Sequence, residues 1–332
     1  MPEPDFEVRP SVLVGDTADI SFHRGISVLR NEGINPVVTV EFSPAKGGVF
    51  CGIREVKALL GRVLSEGNRD VWALEEGAPV APGEVALRIT APYNSFGLYE
   101  TAICGILSQC TGWATASMEC VTAAAGIPVI SIGARHVHPN VAGVMDYAAV
   151  VGGCVSCSTT LGAKLALTTP VGTVSPSVAL IMGDTKLAML AFDKHMPPGI
   201  SRVAPVNVVR DESEESLDLA RTLRQRLRGV ILDVCQTGGG VYPNTVKEVR
   251  ARLDLEGYTH VEIFVSGDLD VELIREFVEK GAPVNAFEVG RYIGGASSHG
   301  FSADIHEIDG KPVARRGRIP GTTPNARLVV LM

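Results

Sequence analysis

The 332-residue sequence has few aromatic side chains, which make up 5% of it, and it has no long apolar run. No run approaches the roughly 18 consecutive apolar residues that a membrane-spanning helix needs. Its first residues, Met1-Pro-Glu-Pro-Asp-Phe-Glu, offer neither the basic nor the apolar region of a signal peptide. We therefore expect a cytoplasmic protein without a membrane partner.

A surplus of positive charge is also missing. The 30 Lys and Arg residues are outnumbered by 37 Asp and Glu residues, so the net charge is −7 at pH 7. This balance argues against a nucleic-acid-binding protein whose affinity comes from a broad basic surface. It is compatible with a small anionic substrate held in a local basic pocket. We therefore expect small-molecule substrates and no nucleic acid.

The cysteines give little support for a disulfide or zinc framework. There are seven of them, an odd number, and most lie inside apolar segments. That placement is typical of small core residues in a reducing compartment. Cys154-Val-Ser-Cys157 is a single CxxC pair with no second pair. A zinc or redox role is therefore the weaker interpretation of this pair.

The chain is long enough for a large core and two domains, and 45% of it is hydrophobic. Its first part alternates short extended runs with Gly and Pro turns, which predicts a mostly antiparallel sheet with a few helices. A long Ala-rich helical region follows over residues 96–125. We predict one domain at residues 1–111, to which residues 301–332 return, and a second domain at residues 112–300.

In the second domain, short apolar strands alternate with helical patterns. This alternation indicates parallel strands with crossover helices, in a barrel or a doubly wound sheet. The predicted strands are Pro128–Ile132, Val203–Val209, Gly229–Val234, His260–Ser266 and Val284–Val289. The predicted helices are Glu214–Arg228, Thr245–Leu255 and Val271–Lys280. Ligands of such folds bind beyond the C-terminal ends of the strands.

A basic cluster follows the first of these strands. Arg135, His136 and His138 come directly after Gly133, ahead of a helical pattern that begins beyond Pro139. Cationic side chains between a strand end and a helix N-terminus are suited to binding an anion. The alternative is a solvated arginine with two histidines at the surface or in the core.

The other strand ends add residues of complementary chemistry. Glycine-rich turns let backbone N–H groups approach phosphate oxygens, arginine binds carboxylate or phosphate, and aspartate orders ribose hydroxyls or holds Mg²⁺ through water. The residues at these ends are Asn207, Asp233, Thr237, Gly238, Gly239, Ser266, Gly267, Gly290 and Arg291. Together they predict a site for a phosphorylated sugar and a small anion. Lys164 either reaches a phosphate or lies on the surface, whereas for Asp184 and Lys186 we favour a structural role.

Several short motifs, spread over nearly the whole chain, resemble those of the nicotinate phosphoribosyltransferases. These belong to the type II phosphoribosyltransferases, together with quinolinate phosphoribosyltransferase. The matching motifs are Thr17-Ala-Asp19, Cys51-Gly-Ile-Arg-Glu55, Trp72-Ala-Leu-Glu-Glu-Gly77, Tyr99-Glu100-Thr101, Gly133-Ala-Arg135-His-Val-His138, Leu161-Gly-Ala-Lys164, Pro170-Val-Gly172-Thr173, Ile231-Leu-Asp233, Phe264-Val-Ser266-Gly267 and Gly310-Lys-Pro-Val-Ala-Arg-Arg-Gly317.

The resemblance implies a fold and an activity. The fold is an N-terminal α/β sandwich domain plus an incomplete parallel α/β barrel. The reaction joins nicotinate to phosphoribosyl pyrophosphate, with Mg²⁺ and no tightly bound organic cofactor, in pyridine nucleotide and NAD biosynthesis. The active site of the family usually lies at a dimer interface, so the resemblance implies a homodimer or a higher homo-oligomer.

The resemblance also implies roles for individual residues. Arg135 would hold the nicotinate carboxylate or a phosphate, with His136 and His138 assisting. Asp233 would contact the ribose or the metal, and the turns at Ser266-Gly267 and Gly290 would bind the 5′-phosphate. The remaining substrate-binding positions are Phe22, Arg24, Lys164, Asn207, Thr237, Gly238, Gly239 and Arg291. The sequence does not predict which residues bind the metal.

The departures from the family pattern fall on ligand-facing positions. Ser21 replaces a tyrosine that relatives carry before Phe22, and Pro176 replaces the histidine used for ATP-coupled phosphorylation. Because proline cannot accept a phosphoryl group, we predict no ATP coupling through this residue. Asp268 and Glu288 place extra carboxylates beside the predicted phosphate site, where they repel an anion unless a metal or Arg291 compensates.

Three functions fit this pattern of retained scaffold and altered ligand contacts. The first is a phosphoribosyltransferase acting on nicotinate. The second is a transferase for another heterocyclic or aromatic acid, or for another sugar donor. The third is a non-catalytic or re-purposed paralogue that binds a phosphorylated sugar or a different aromatic acid.

Overall fold

The computed structural model describes residues 6–67, 69–234 and 241–332. The strands in this part of the chain are β1 Val37–Pro44, β2 Gly48–Val49, β3 Asp70–Ala73, β4 Pro79–Val80, β5 Leu87–Pro92, β6 Val129–Ser131, β7 Ser156–Cys157, β8 Arg202–Pro205, β9 Leu227–Val234, β10 Glu262–Gly267, β11 Ala286–Val289, β12 Phe301–Ile308, β13 Lys311–Pro312 and β14 Val329–Val330. The helices are α1 Pro10–Leu13, α2 Ile20–Asn31, α3 Ile53–Val63, α4 Tyr93–Phe96, α5 Glu100–Ala123, α6 Ala142–Val151, α7 Thr160–Leu165, α8 Pro176–Met182, α9 Thr185–His195, α10 Glu212–Leu223, α11 Pro243–Leu255, α12 Val271–Glu279 and α13 Arg291–Gly294.

The chain divides into two compact units. The first contains the described residues of Met1–Thr115 together with Ala296–Met332, and the second is Ala116–Gly295. The predicted boundaries at residues 111 and 301 remain a prediction. Among the described residues, no helix is long and apolar enough to cross a membrane.

The first unit is built on an antiparallel sheet with strand order β13-β12-β1-β5-β3-β14. Helix α3 is amphipathic, and its apolar positions Ile53, Val56, Leu59 and Leu60 are buried in the core beside this sheet, as their spacing predicts. Burying each such side chain contributes about 1.5–3 kcal/mol. This unit therefore has its own hydrophobic core.

The second unit is built on a parallel sheet with strand order β7-β6-β11-β10-β9-β8. One face carries a buried apolar cluster formed by Ile130, Ile231, Phe264 and Ala286, which come from four neighbouring strands. We call it the inner face. The sheet curls into a half-barrel, and the first unit is a small α/β domain, which confirms the predicted fold class.

Two predicted segments end earlier than their sequence pattern indicates. The predicted strand Val203–Val209 stops at Pro205, because Asn207 takes a positive φ of 61° and turns the chain away. The predicted helix Glu214–Arg228 stops at Leu223, because Arg224 has a φ of 51°. Apolar periodicity does not reveal such local left-handed turns at non-glycine residues. The short strand β7 was not predicted.

Candidate functional site

The basic cluster forms a turn at the C-terminal end of β6. Gly133–His136 is one turn of 3₁₀ helix, and the side chains of Arg135 and His136 are exposed. A Cβ atom added to Gly133 would lie 3.1 Å from the carbonyl oxygen of Gly290, so a larger residue here would require a neighbouring group to shift by a few tenths of an ångström. The turn after β6 is therefore packed against the turn after β11.

The imidazole of His136 lies against the Gly290 turn. A Cβ atom added to Gly290 would lie 3.1 Å from Nε2 of His136. Partial loss of water contact and the nearby charges of Arg291 and Arg135 lower the pKa of His136, and Asp268 opposes them. We call Arg135, His136 and Arg291 the basic rim. Their like charges repel one another, so a bound anion would stabilise them.

His138 does not join the rim through any described contact. Its Nδ1 accepts a hydrogen bond from the backbone N–H of Asn140 at 3.2 Å, which ties the ring to its own loop. Its side chain is exposed. A local structural role therefore accounts for the contact that His138 makes.

Below the rim, three strands bring polar side chains into one row. The strand register pairs Ser266 with Asp233 and Phe264 with both Ile231 and Ala286. Because side chains alternate with a period of two, Asp233, Ser266 and Glu288 lie one step beyond the apolar cluster on the same inner face. We call these three residues the acidic floor.

The pKa values of the two carboxyl groups in the acidic floor, those of Asp233 and Glu288, are raised above their ordinary values. Burial, opposed by a hydrogen bond from Ser266 and assisted by Asp233, raises the pKa of Glu288. Partial burial and the charge of Asp268 raise the pKa of Asp233, while Arg135 lowers it. Among the described residues, the floor therefore has too few cations and hydrogen-bond donors to balance both carboxylates.

Asp268 and Arg291 neutralise each other next to the floor. Nη2 of Arg291 lies 3.2 Å from Oδ1 of Asp268. Gly267, which precedes Asp268, has a φ of 107°, and a Cβ atom there would lie 2.4 Å from Oδ1 of Asp233. Only glycine therefore fits between Asp233 and this turn. Of the two extra carboxylates that the sequence revealed, Asp268 is compensated by Arg291.

Two fully buried acids that the sequence did not single out hold the loops around the site. Glu215 on α10 accepts hydrogen bonds from the backbone N–H groups of Val208, Val209 and Arg210 at 3.1–3.2 Å, and from the hydroxyl of Thr185 at 2.8 Å. It thereby fixes the loop after β8. Glu215 gave no signal in the sequence, because it stands among other acids in the first turn of α10.

Asp146 on α6 fixes a loop in the same way near the opposite edge of the sheet, where β6 and β7 lie. It accepts hydrogen bonds from the hydroxyl of Ser131 at 2.7 Å and from the backbone N–H of Thr159 at 2.9 Å. It thereby joins the end of β6 to the loop before α7. A lone acid within an apolar helix was the signal that could have identified it.

The remaining candidates lie apart or have other partners. Nδ2 of Asn207 donates to the carbonyl oxygen of Asp233 at 3.4 Å, so it supports the floor from the loop after β8. Lys164 is exposed on α7, and in the described chain no hydrogen bond or ion pair links it to the rim or floor. Asp184 caps α9 and Lys186 pairs with Asp218, in agreement with a structural role.

Five predicted residues cannot be related to the rim. Phe22 and Arg24 belong to α2 of the first unit, where Phe22 is half-buried and Arg24 is exposed. Thr237, Gly238 and Gly239 lie outside the described residues.

The resemblance also implies a Mg²⁺ ion. Among the described residues, no group of three or more His, Cys, Asp or Glu side chains could hold a metal. Mg²⁺ often binds through the phosphates of a substrate, with only one or two protein carboxylates. The described residues therefore fit a Mg²⁺ ion that enters with substrate phosphates better than a resident metal.

Comparisons with known proteins identify the family that the chain resembles. Residues 19–111 match the family model of the quinolinate phosphoribosyl transferase N-terminal domain, and residues 113–304 match that of its C-terminal domain. The nicotinate phosphoribosyltransferase pncB2 of Mycobacterium tuberculosis is 30% identical over 67% of this chain and 47% of its own length. The chain thus spans about half the length of the curated relatives it matches.

Solved structures extend the likeness over almost the entire chain. The crystal structure of nicotinate-nucleotide pyrophosphorylase from Pyrococcus furiosus is 36% identical, with a TM-score of 0.86, and the match covers 97% of this chain and 82% of that one. Human nicotinic acid phosphoribosyltransferase has a TM-score of 0.67 at 16% identity, over 92% of this chain and 77% of that one. At that identity, the likeness to the human protein shows the fold alone.

Proposed function

The chain belongs to the quinolinate phosphoribosyl transferase family, and on that premise we propose that it transfers a phosphoribosyl group to nicotinate and releases pyrophosphate. The observation that carries this proposal is the exposed basic rim directly above the acidic floor at the C-terminal strand ends. The rim offers charge to an anion, and the floor offers acceptors to hydroxyl groups of a sugar. Both kinds of group occur in the proposed substrates.

A monocarboxylate suits this site better than a dicarboxylate such as quinolinate. One of the rim cations, Arg291, is already paired with Asp268, which leaves Arg135 as the permanent positive charge. An additional ligand carboxylate about 4 Å from an ionised protein carboxylate costs about 4 kcal/mol at an effective dielectric constant of 20. The names of the curated relatives also favour nicotinate.

In the proposed reaction, the lone pair of the nicotinate ring nitrogen forms a bond to C1′ of the donor ribose. The bond between C1′ and the pyrophosphate oxygen breaks, and its electron pair leaves with pyrophosphate. The transition state resembles an oxocarbenium ion, so the protein contributes mainly orientation and charge stabilisation. Arg135 orients the nicotinate carboxylate and Asp233 orients ribose hydroxyls. Mg²⁺, when bound, neutralises the leaving pyrophosphate.

The proposed reaction uses no phosphohistidine. Pro176 occupies the position of the family's phosphorylated histidine and begins α8, where Ser175 caps the helix. Proline has no side-chain atom that accepts a phosphoryl group, and its fixed φ suits the first position of a helix. ATP should therefore leave the rate of pyrophosphate release unchanged.

The test is pyrophosphate release from phosphoribosyl pyrophosphate and Mg²⁺, with nicotinate or quinolinate as the acceptor. We expect turnover with nicotinate and little with quinolinate. Arg135→Ala should lower kcat/KM for nicotinate by about 10- to 100-fold, the loss of one charged hydrogen bond, without lowering the melting temperature. The matched control is Arg228→Ala, which removes an exposed arginine from β9 that pairs with Glu262. Faster turnover with quinolinate would contradict the proposed acceptor.

One observation favours a second function. Glu288 is a buried carboxyl beside the predicted phosphate turn, and it is one of the two carboxylates by which the sequence departs from the family pattern. Such a change suits a transferase for another heterocyclic acid, or a paralogue that binds a phosphorylated sugar without catalysis. Stabilisation of the protein by ribose 5-phosphate, with no pyrophosphate released for any acceptor in a panel of heterocyclic acids, would support the non-catalytic function.

The chain is also proposed to associate with copies of itself through α8 and α9. These helices expose large apolar side chains, among them Leu180, Ile181 (84% exposed) and Leu187. Apolar side chains clustered in this way on a surface commonly mark an interface. Ile181→Glu should lower the molar mass measured by light scattering. Leu255→Glu, at an equally exposed apolar side chain at the end of α11, should leave it unchanged.

A further inference from the structure

Glu288 occupies the middle of the parallel sheet. Its strand, β11, lies between β6 and β10, and the register pairs Glu288 with Ile130 on the β6 side. The side chain is 9% exposed and lies two residues before the Gly290 turn. A carboxyl group in such a place is removed from water by its own fold, before any ligand binds.

The groups around Glu288 offer it little compensation. On β10, Ser266 shares a hydrogen bond with it, and on β9 the nearest charged group is the like-charged Asp233. On β6 the paired side chain is the apolar Ile130. Within residues 6–67, 69–234 and 241–332, Glu288 takes part in no ion pair.

The nearby cations have other partners or lie in the turns above. Arg291, on α13, is paired with Asp268 from the turn after β10. Arg135 and His136, in the turn after β6, face Asp233 and Arg291. The balance of charge at the floor therefore depends on whether Glu288 carries a proton.

We propose that Glu288 is a specificity-determining residue that must be protonated for an anionic ligand to bind at the rim. As a neutral acid, it can donate a hydrogen bond and adds no negative charge. As a carboxylate, it places a second negative charge beside Asp233 and repels phosphate. The role rests on the proposed function, since it concerns the same site.

The direction of the pH effect on anion binding follows from the raised pKa of Glu288. Burial and Asp233 raise the pKa of Glu288, so its proton is retained to higher pH than on a free glutamic acid. Anion affinity should be full while Glu288 is protonated and should fall as the pH rises through its pKa. Binding of the anion should in turn take up a proton.

The experiment measures the Kd of inorganic pyrophosphate by calorimetry between about pH 5.5 and 8.5. For the native protein, the loss of affinity with pH should be steeper than for Glu288→Gln, by up to about tenfold per pH unit. The glutamine keeps the size and hydrogen-bonding capacity of the side chain but cannot ionise. Titration of pyrophosphate and of the groups outside position 288 is common to both proteins, so the difference between their slopes isolates Glu288.

Glu262→Gln is the matched control. Glu262 lies at the other end of β10 and pairs with Arg228 at 2.9 Å, so the same chemical change is made away from the site. This variant should follow the native slope. Calorimetry in two buffers of different ionisation enthalpy should also show greater proton uptake by the native protein than by Glu288→Gln.

A second variant keeps the test decisive if Glu288→Gln does not fold. The hydrogen bond from Ser266 lowers the pKa of Glu288, so Ser266→Ala should move the loss of affinity to higher pH. Parallel slopes for native protein and Glu288→Gln, or an unmoved midpoint in Ser266→Ala, would overturn the role of Glu288 alone. Failure of every protein to bind pyrophosphate at any pH would overturn the proposed function as well.

Discussion

The second unit contains two kinds of acid near its strand ends, and they differ in burial and in how many hydrogen-bond donors they meet. Glu215 and Asp146 are each fully buried, and each accepts at least three hydrogen bonds. Glu288 has one hydroxyl partner, and Asp233 faces the like charge of Asp268. All four lie within or beside the C-terminal end of one parallel sheet.

We propose that the difference separates acids that stabilise the fold from acids that act on a ligand in the candidate site. A carboxylate surrounded by N–H and O–H donors is stabilised in its charged form, and removing it leaves those donors buried without partners. A carboxylate that lacks donors is under electrostatic stress, which a ligand can relieve. Replacing the first kind should affect stability, and replacing the second kind should affect ligand binding.

The largest effect is expected for Glu215→Ala. Three backbone N–H groups and one hydroxyl lose their acceptor, at about 1–3 kcal/mol for each that stays buried. We expect the free energy of unfolding to fall by about 3–5 kcal/mol, measured by urea denaturation followed by circular dichroism. Amide hydrogen exchange should also become faster at Val208, Val209 and Arg210.

Glu214→Ala is the control for this change, because Glu214 is the exposed neighbour on the same first turn of α10. Its effect should stay within about 0.5 kcal/mol. If Glu215→Ala proved as mild as this control, the assignment of Glu215 as the residue that holds the loop after β8 would be wrong.

Asp233→Asn should affect turnover and leave stability nearly unchanged, the opposite of Glu215→Ala. The raised pKa means that ionised Asp233 lowers the stability of the folded state above its unfolded pKa, so the neutral amide should leave the melting temperature equal or slightly higher. Its loss should lower kcat by about 10²-fold, as for other removed electrostatic contacts in active sites. A marked fall in melting temperature with normal turnover would place Asp233 with the stabilising acids.

The sequence places the rim residues, Asp233 and Glu288 at or beside the predicted site, but it does not single out the fully buried acids Glu215 and Asp146. Arg135 and His136 follow an apolar run and a glycine, so their place at a strand end is visible in the local pattern. Glu288 and Ser266 become neighbours only through the register of β10 and β11, which lie 22 residues apart in the chain (the span between paired Phe264 and Ala286). Glu215 looks like its acidic neighbours until its partners across the fold are known.

Glu55→Gln tests whether a raised pKa alone marks a functional acid. Of the three substitutions, it should have the smallest effect. Glu55 lies on α3 in the first unit, where burial raises its pKa to about 7, against Arg9 and with help from Glu76. The stability that its proton contributes is complete below the unfolded pKa of about 4.3 and is lost as the pH rises through about 7. Native stability should therefore decline over this range by on the order of 1 kcal/mol more than that of Glu55→Gln.

Both tryptophans, Trp72 and Trp113, belong to the first unit, so their fluorescence during urea unfolding reports the change where it occurs. Equal pH dependence in the two proteins would show that Glu55 is compensated in solution, and that among these acids electrostatic stress is confined to the floor of the site.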